Sequence, residues 1–358
     1  MKFILVFLTF LVNFAVAAEP NEIVFVFHGA SDASAGAAIG GDTFIVADDE
    51  NNTLRVYKVG LAKPIFSFDL SEFLQTTAKN PEADIEGAAK TGNRIYLITS
   101  HGRNKDGEYR PNRYRFFAAE IVTDGNSVGI KPVGRPYENL AIDLVSTKSD
   151  VQRDLVKATG FGLKLKGKDL ERLAPKSEGL NIEGLCASAD ANTLYIGFRN
   201  PQHNKDNKEY AVIVPLQNAA SVVEKGRKPA FGKPLLWDLN GLGVRDMVYS
   251  PFHKAYFFIA GPGDEKLSFA FYRWSGDKTQ QPVLVQKLLL PEKFTPEALI
   301  VFEDKERIFV LSDDGNIEVE VRSAADCMEG ELIGGRKCPN KFLTDPNKKT
   351  FRGMWLGN

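Results

Sequence analysis

The 358-residue sequence lacks several features that mark common classes of function. Its formal net charge is only −1, so no overall positive field would attract nucleic acid or an anionic membrane surface. Beyond the N-terminal stretch, no apolar run is long enough to span a bilayer. We therefore expect no nucleic-acid partner and no membrane span.

Signature motifs of common enzymes are also missing. The sequence has no G-x-S-x-G nucleophile motif, no phosphate-binding Walker loop and no dinucleotide fingerprint. Its four histidines do not have the spacing of a zinc site. Any electrostatic function must therefore come from local groups of charged residues.

The N-terminal segment combines Lys2 with a short apolar stretch and an A-x-A motif, a pattern typical of a cleaved signal peptide. We therefore expect a signal peptide over residues 1–18 and a single mature domain over residues 19–358. This interpretation places the protein in the periplasm or outside the cell.

Cysteine is scarce, with three residues in the chain. Cys327 and Cys338 lie in a loop-like tail, and in an oxidising compartment we expect them to form a disulfide. Cys186 lies alone inside an apolar strand and is interpreted as a small core residue.

Five segments repeat one pattern: an acid, a strand of small or apolar residues, a turn, and a returning β-branched or aromatic strand. The five opening acids are Asp32, Glu86, Glu183, Asp246 and Glu297. The returning strands end 15 or 16 residues later, at Asp48, His101, Arg199, Pro262 and Asp313. Each segment is followed by a third strand (TLRVYKV, YRFFAAEIV, YAVIVPL, FAFYRW, IEVEV), and most by a fourth.

This repeat predicts an all-β fold, a β-propeller of four-stranded blades. We expect five blades, or six if residues 135–178 hold a further blade. The ring would be closed by the strand IVFVF near the N-terminus or by FRGMWL near the C-terminus. Between blades two and three, residues 136–178 have helix-like apolar spacing and predict a helical insertion, which is either a lid over the channel mouth or packing decoration.

The opening acids should converge at one end of the channel, because the inner strand of a blade begins at the face where the second strand ends. Crowded carboxylates need a cation, for which Ca²⁺ is the expected ion. The candidate metal ligands are Asp32, Asp48, Glu86, Glu183, Asp246, Glu297 and Asp313. In the alternative, these acids cap backbone amides of the next blade or form salt bridges between blades. Arg245 is expected to point away from the channel, because neighbouring strand residues alternate.

Cationic and polar residues fall on another part of the predicted ring. The candidate anion-binding residues are Arg103, Arg110, Arg113, Arg199 and Asn200. Three residues are candidates for a catalytic role, namely His101, Arg103 and Arg199. His101 is the candidate for proton transfer, since imidazole titrates near neutral pH.

The motifs themselves resemble known families. The runs SDASAGAAIGGDTF, DIEGAA, SHGRNKDGEYRPNR, LNIEGL, IGFRNP and YRWSG are similar to a bacterial secreted family known only as domain of unknown function 3616. The similarity covers nearly all of the mature chain, and the family has no established activity. The openings DIEG, NIEG and PEAL also resemble phytase-like esterase propellers, and that resemblance implies a propeller fold and a phosphoester-type ligand.

Three functional hypotheses follow from these features, and the third of them is a purely structural scaffold. In the first, the protein is a metal-dependent hydrolase of an anionic, phosphoester-like substrate at the channel mouth. In the second, it is a catalytically silent propeller that binds an acidic ligand, glycan or protein partner at the same face. In the first two, we expect a monomer that binds a small anionic molecule or a glycan.

Overall fold

A computed structural model of the chain describes residues 23–125, 127–263 and 268–356. The predicted signal peptide, residues 1–18, lies outside these residues. In the part that is described, antiparallel strands form five blades around a common axis. The prediction of an all-β propeller with five blades is therefore confirmed.

Each of the first four blades is formed from consecutive strands of the chain. The first strand, β1 (Phe25–His28), is the exception and belongs to the last blade. Blade one contains β2 (Ala35–Gly40), β3 (Thr43–Ala47), β4 (Thr53–Lys58) and β5 (Phe66–Asp69). Blade two contains β6 (Ile85–Thr91), β7 (Arg94–Thr99), β8 (Phe116–Asp124) and β9 (Ser127–Tyr137).

Blades three and four follow the same order from the axis outward. Blade three contains β10 (Asn181–Ala187), β11 (Leu194–Asn200), β13 (Lys208–Leu216) and β14 (Leu235–Trp237), with β12 (His203–Lys205) as a short extension on β13. Blade four contains β15 (Gly243–Ser250), β16 (Ala255–Gly261), β17 (Ala270–Trp274) and β18 (Val283–Lys287).

Blade five joins the two ends of the described chain. It contains β19 (Thr295–Ile300), β20 (Ile308–Asp313), β23 (Thr350–Leu356) and, outermost, β1. The strands IVFVF and FRGMWL therefore both take part in closing the ring, since β1 pairs antiparallel with β23.

The prediction that IEVEV forms the third strand of blade five is wrong. Its central part, β21 (Glu318–Glu320), pairs with β22 (Lys337–Pro339) in a separate two-stranded sheet. The third position of the blade is largely buried, as the pattern of β23 shows, and both glutamates of β21 are exposed. Burying them unpaired would be costly, so the apolar strand β23 occupies the position instead.

The core consists of apolar layers between neighbouring blades. The second strands of blades three and four, β11 and β16, are buried along their whole length because other blades cover both of their faces. The innermost strands approach closely, and glycine permits this approach. A Cβ atom on Gly87 would lie 3.0 Å from Cβ of Leu185, and one on Gly184 would lie 2.9 Å from Cγ1 of Val244, in each case on the inner strand of the next blade. The glycine of the DIEG and NIEG motifs therefore has a packing role.

Helices are short and lie between the strands. They are α1 (Ser71–Leu74), α2 (Leu140–Ser146), α3 (Gln152–Thr159), α4 (Lys168–Glu171) and α5 (Ala219–Lys225). Three of them, α2 to α4, occupy the connection between blades two and three, where a sixth blade was the alternative. Leu140, Leu144 and Leu155 of this connection pack into the apolar layer of blades two and three. None of the helices in the described part of the chain has the length and hydropathy of a bilayer span.

The predicted disulfide is confirmed. Cys327 and Cys338 are bonded, with their Cα atoms 5.7 Å apart. Cys338 lies in β22, so the bond joins the two-stranded sheet to Cys327 of the preceding loop. Cys186 is free and buried, in agreement with its interpretation as a core residue.

Candidate functional site

A cavity of about 1260 Å³ lies where the inner strands of the propeller begin. Its walls come from several blades and from the segment 174–177, which follows α4. The walls carry ten carboxylates and nine cationic side chains. The acids are Asp32, Asp49, Glu50, Glu82, Asp84, Glu86, Asp106, Glu183, Glu297 and Asp313. The cations are Lys79, Lys105, Arg110, Arg113, Lys176, Arg199, Arg245, Lys293 and Lys341.

A β-bulge at the start of four inner strands turns one charged side chain toward this cavity. The pairing register shifts by one residue at Glu86, Glu183, Arg245 and Glu297. An extra residue in one strand re-aims its side chain, and bulges of this kind are common next to functional sites. The four equivalent positions therefore hold three glutamates and one arginine.

The bulge overturns the prediction for Arg245 and Asp246. Arg245 was expected to point away from the channel by strict alternation, but it lines the cavity. Asp246 instead is buried outside the cavity wall and accepts a hydrogen bond of 2.6 Å from the backbone N–H of Leu299, in the next blade. For Asp246 the structure thus shows the backbone-capping role that was the alternative to metal binding.

Arg199 and Arg245 form an ion-pair network across the deep part of the cavity wall. Glu183 bridges them, with one oxygen 2.9 Å from Nη1 of Arg199 and the other 3.0 Å from Nε of Arg245. Arg245 also pairs with Glu297. Arg199 further donates from Nε to the carbonyl of Pro262 at 3.1 Å. These four side chains neutralise one another and join blades three, four and five.

A second group of acids has fewer cationic partners. Carboxylate oxygens of Asp32, Asp49 and Glu50 all lie within 4.8 Å of one another. The same holds for Asp49, Asp84 and Glu86, so Asp49 belongs to both sets. Its Oδ1 atom is buried and accepts no hydrogen bond from any described residue. We call these five residues the acidic cluster.

Burial and repulsion from neighbouring carboxylates make ionisation of three members of the acidic cluster, Asp32, Asp49 and Glu86, unfavourable. Burial, followed by the charge of Asp313, raises the pKa of Asp32 well above its usual range. Burial and the Glu50 carboxylate do the same to the pKa of Asp49. The pKa of Glu86 is likewise raised by burial and by neighbouring Asp84. A bound cation would remove this repulsion.

Two of the predicted metal ligands, Asp313 and Asp48, lie beside the acidic cluster, but only Asp313 lines the cavity. Asp313 lines the cavity and forms an isolated β-bridge with Asp32, which fastens blade five to the start of blade one. Asp48 is buried outside the cavity wall, where its carboxylate accepts hydrogen bonds from the backbone N–H groups of Ser31 and Glu50. Asp48 therefore shapes the turn that presents Asp49 and Glu50.

His101 and Arg103 lie outside the cavity wall. His101 is fully buried with a left-handed φ of 52°, and its ring Nδ1 lies 2.9 Å from the Thr99 carbonyl oxygen. Arg103 donates to the backbone carbonyls of Thr159 and Gly107, so it ties α3 to blade two. The structure thus keeps both residues apart from the acidic cluster.

The other predicted anion-binding residues, Arg110, Arg113 and Asn200, line two different cavities. Arg113 pairs with Glu82 and, at 3.1 Å, with Asp84 of the acidic cluster. Arg110 is partly exposed and pairs with Glu108 at 2.7 Å. Asn200 lines a smaller side cavity of about 600 Å³, where its amide donates to the carbonyl of Pro175.

Sequence reasoning missed Glu50, Asp84 and Lys341 as cavity residues. Asp84 had a signal, because it stands two residues before Glu86 in the DIEG opening and strand alternation puts such residues on one face. No sequence pattern indicated Lys341, because it reaches the cavity from a distant loop that follows the disulfide.

His101 leads to a prediction about acid stability. Burial lowers the pKa of His101 from 6.5 to about 4, so the folded protein keeps the ring neutral while the unfolded chain takes up a proton. The stability that this neutral ring contributes is present above pH 6.5 and is lost as the pH falls toward 4. The loss at low pH should be about 3 kcal/mol in the free energy of unfolding.

Urea unfolding of the wild type and of His101→Asn between pH 7 and pH 4 tests this expectation. Asparagine tolerates a positive φ and keeps a polar side chain. The variant should lose less free energy of unfolding on acidification than the wild type. The difference at pH 7, where the ring is neutral, reports packing alone. Parallel pH curves would contradict the prediction.

The family model described as "Protein of unknown function (DUF3616)" matches residues 32–118 and 138–311. The chain belongs to the DUF3616 family. The DUF3616 match includes every residue of the acidic cluster and ends before Lys341.

Solved structures similar to this DUF3616 protein are distant. A glutaminyl cyclase from Myxococcus xanthus is 12% identical over 81% of this chain and 90% of its own, with a TM-score of 0.42. A PQQ-bound aldose sugar dehydrogenase from Streptomyces coelicolor is 10% identical over 94% of this chain and all of its own, with a TM-score of 0.40. No curated protein matches the chain. These likenesses say nothing about the ligand or activity of this DUF3616 member.

Proposed function

We propose that the protein is a divalent-cation-dependent hydrolase that acts on an anionic, phosphoester-like substrate in the central cavity. The observation that carries this proposal is the crowding of buried and half-buried carboxylates around Asp49, in the same cavity as arginine and lysine side chains. A divalent cation and a bound anion would balance these two sets of charges.

The donor set of the cavity fits calcium. Ca²⁺ prefers six to eight oxygen ligands, and two oxygens on opposite sides of the ion at about 2.4 Å lie about 4.8 Å apart. The oxygens of Asp49, Asp84 and Glu86 meet this spacing. Two buried amide oxygens of the wall, Oδ1 of Asn112 and Oδ1 of Asn181, have no hydrogen-bond donor among the described residues. Asp49, Asp84 and Glu86 are the residues that would hold the ion, and the two amides are further oxygen donors of the same cavity wall.

A cation held there would polarise the phosphoryl group and lower the pKa of a water molecule. The side chains around it have separate tasks. Arg113 is fixed by Glu82 and Asp84, so its guanidinium stands next to the proposed ion. Arg110 is exposed enough to turn toward a bound anion and hold it with two parallel hydrogen bonds. The neutralised pairs of Arg199 and Arg245 keep the cavity floor rigid.

A second candidate function is favoured by the position of His101. It was the candidate for proton transfer, and the structure buries it away from the cavity wall. A propeller that binds an anionic ligand or glycan at this cavity without turnover would need no such group.

For both functions we propose that the protein acts as a monomer outside the cytoplasm. The disulfide supports the location, because disulfides persist in oxidising compartments.

Phosphatase assays with p-nitrophenyl phosphate test the hydrolase proposal. Protein stripped with EDTA should be inactive, and added CaCl₂ should restore turnover. If phosphomonoesters and phosphodiesters stay intact with every divalent ion tried, the hydrolase proposal is wrong.

Thermal-shift measurements test the binding alternative with the same compounds. A rise in Tm without product would support it. Arg110→Ala should remove that rise, whereas Arg135→Ala, which changes an exposed arginine outside the cavity, should leave it.

A further inference from the structure

Lys341 already places a positive charge on one half of the acidic cluster. Its Nζ lies 2.8 Å from Oε1 of Glu50, and the side chains of both residues are about a quarter exposed (23% and 24%). Glu50, Asp32 and Asp49 hold their oxygens within 4.8 Å of one another. The protein's own ammonium group thus pairs with one member of the three carboxylates that could otherwise hold an ion.

The backbone fixes Lys341 at this place. Its N–H donates to the carbonyl of Gly315 at 3.0 Å, and its own carbonyl accepts a hydrogen bond from Nζ of Lys349. The preceding residue, Asn340, donates from its side chain to the carbonyls of Asp314 and Thr350. Cys338, bonded to Cys327, stands three residues before Lys341. These hydrogen bonds and the disulfide fix the backbone of the loop from which Lys341 reaches Glu50.

The other half of the acidic cluster has a different partner. Asp84 pairs with Arg113 at 3.1 Å, and Arg113 is shared with Glu82. Oδ1 of Asp49, which belongs to both halves, accepts no hydrogen bond from a described residue. Two divalent ions that share Asp49 would lie close together and repel each other strongly. The repulsion between one divalent ion and the singly charged ammonium group of Lys341 is weaker, because repulsion grows with the product of the charges.

We propose that Asp32, Asp49 and Glu50 form a second divalent-cation site, which Lys341 keeps closed. The inference rests on the proposed function only for the first ion, at Asp49, Asp84 and Glu86. Lys341 then limits the protein to one ion and leaves Asp49 available to the ion at Asp49, Asp84 and Glu86. The family match ends at residue 311, so Lys341 lies outside that match, whereas the three carboxylates lie inside it.

Calcium stoichiometry tests the proposal. Isothermal titration of chelator-treated protein with CaCl₂ should give one ion per chain for the wild type and two for Lys341→Gln, which removes the charge but keeps a hydrogen-bonding side chain. Lys341→Arg should keep one ion. Lys348→Gln is the matched control, because Lys348 pairs with Asp326 at 2.8 Å on the same loop and lies outside the cavity wall.

Thermal unfolding together with circular dichroism shows whether Lys341→Gln is folded and provides a second measurement of calcium binding. Calcium should raise the Tm of Lys341→Gln by more than it raises that of the wild type, provided that circular dichroism shows the same strand content in both. One ion bound by both proteins with equal affinity would overturn the inference, as would two ions in the wild type or none in either. If the wild type binds none and Lys341→Gln binds one, the proposed function fails while this inference stands.

Discussion

Replacing Asp49 by asparagine is expected to weaken calcium binding by about 100-fold or more, which is about 2.7 kcal/mol. Asp49 belongs to both groups of clustered carboxylates, and its Oδ1 is buried without a donor. Removing one unit charge about 4 Å from a cation costs about 4 kcal/mol per unit of cation charge at an effective dielectric constant of about 20. Asparagine keeps the shape of the side chain, so the loss reports charge.

The same substitution should stabilise the calcium-free protein. Burial and Glu50 raise the pKa of Asp49 above its ordinary value of 3.8. The folded protein therefore holds the proton of the Asp49 carboxyl more tightly than the unfolded chain does. The stability that this proton contributes is fully present below pH 3.8 and is lost as the pH rises through the raised pKa of Asp49. At neutral pH, Asp49→Asn should unfold at a higher temperature than the wild type in EDTA, and it should gain little from calcium.

Calcium titration and thermal unfolding at neutral pH check both parts. Asp106→Asn is the matched control, since Asp106 is an exposed carboxylate of the same cavity and lies outside the acidic cluster. It should change the calcium affinity little. Equal loss of affinity in the two variants would show that calcium responds to the total charge of the cavity and has no site at Asp49.

Replacing Arg245 by methionine is expected to lower the free energy of unfolding by about 3 to 5 kcal/mol. Arg245 is 4% exposed and pairs with Glu183 and Glu297, so its removal leaves the half-buried Glu297 without this cationic partner. Methionine fills much of the same volume, and a buried charge without compensation is the main cost.

Urea unfolding of Arg245→Met measures this loss. Arg273→Met is the control, because Arg273 lies in β17 of the same blade and is exposed, and it should change stability by less than about 0.5 kcal/mol. Adding Glu297→Gln to Arg245→Met should recover part of the loss, since the unpaired charge is removed. Similar losses in both arginine variants would mean that the ion pairs contribute no more than a surface contact.

Much of the architecture could be predicted from the order of residue types. The five repeats, the closure by an N-terminal strand and the disulfide between Cys327 and Cys338 follow from local patterns of apolar, turn and cysteine residues. Local patterns suffice for the first four blades because their strands pair with neighbours in sequence. The exception, IEVEV, has the alternation of a strand, and only the burial of the competing strand β23 decided where it pairs.

The candidate site could be predicted only in outline. The sequence placed Asp32, Glu86, Glu183 and Glu297 at one end of the channel, and all four line the cavity. It placed His101 there too, because a spacing of 15 residues cannot show that the chain turns through a left-handed φ and buries the ring. The resemblance to phytase-like propellers stays a prediction.

By itself the sequence determined that this chain is a propeller, with five blades expected and six left open, and that acids gather at one mouth, because strand periodicity and turn residues act over short distances. The structure decided that the blades number five. The tertiary structure alone decided which acids come together with Asp49, that a bulge puts Arg245 in the place expected for Asp246, and that Lys341 reaches Glu50. These outcomes depend on one-residue shifts in pairing and on contacts between residues far apart in the chain, which no local pattern records.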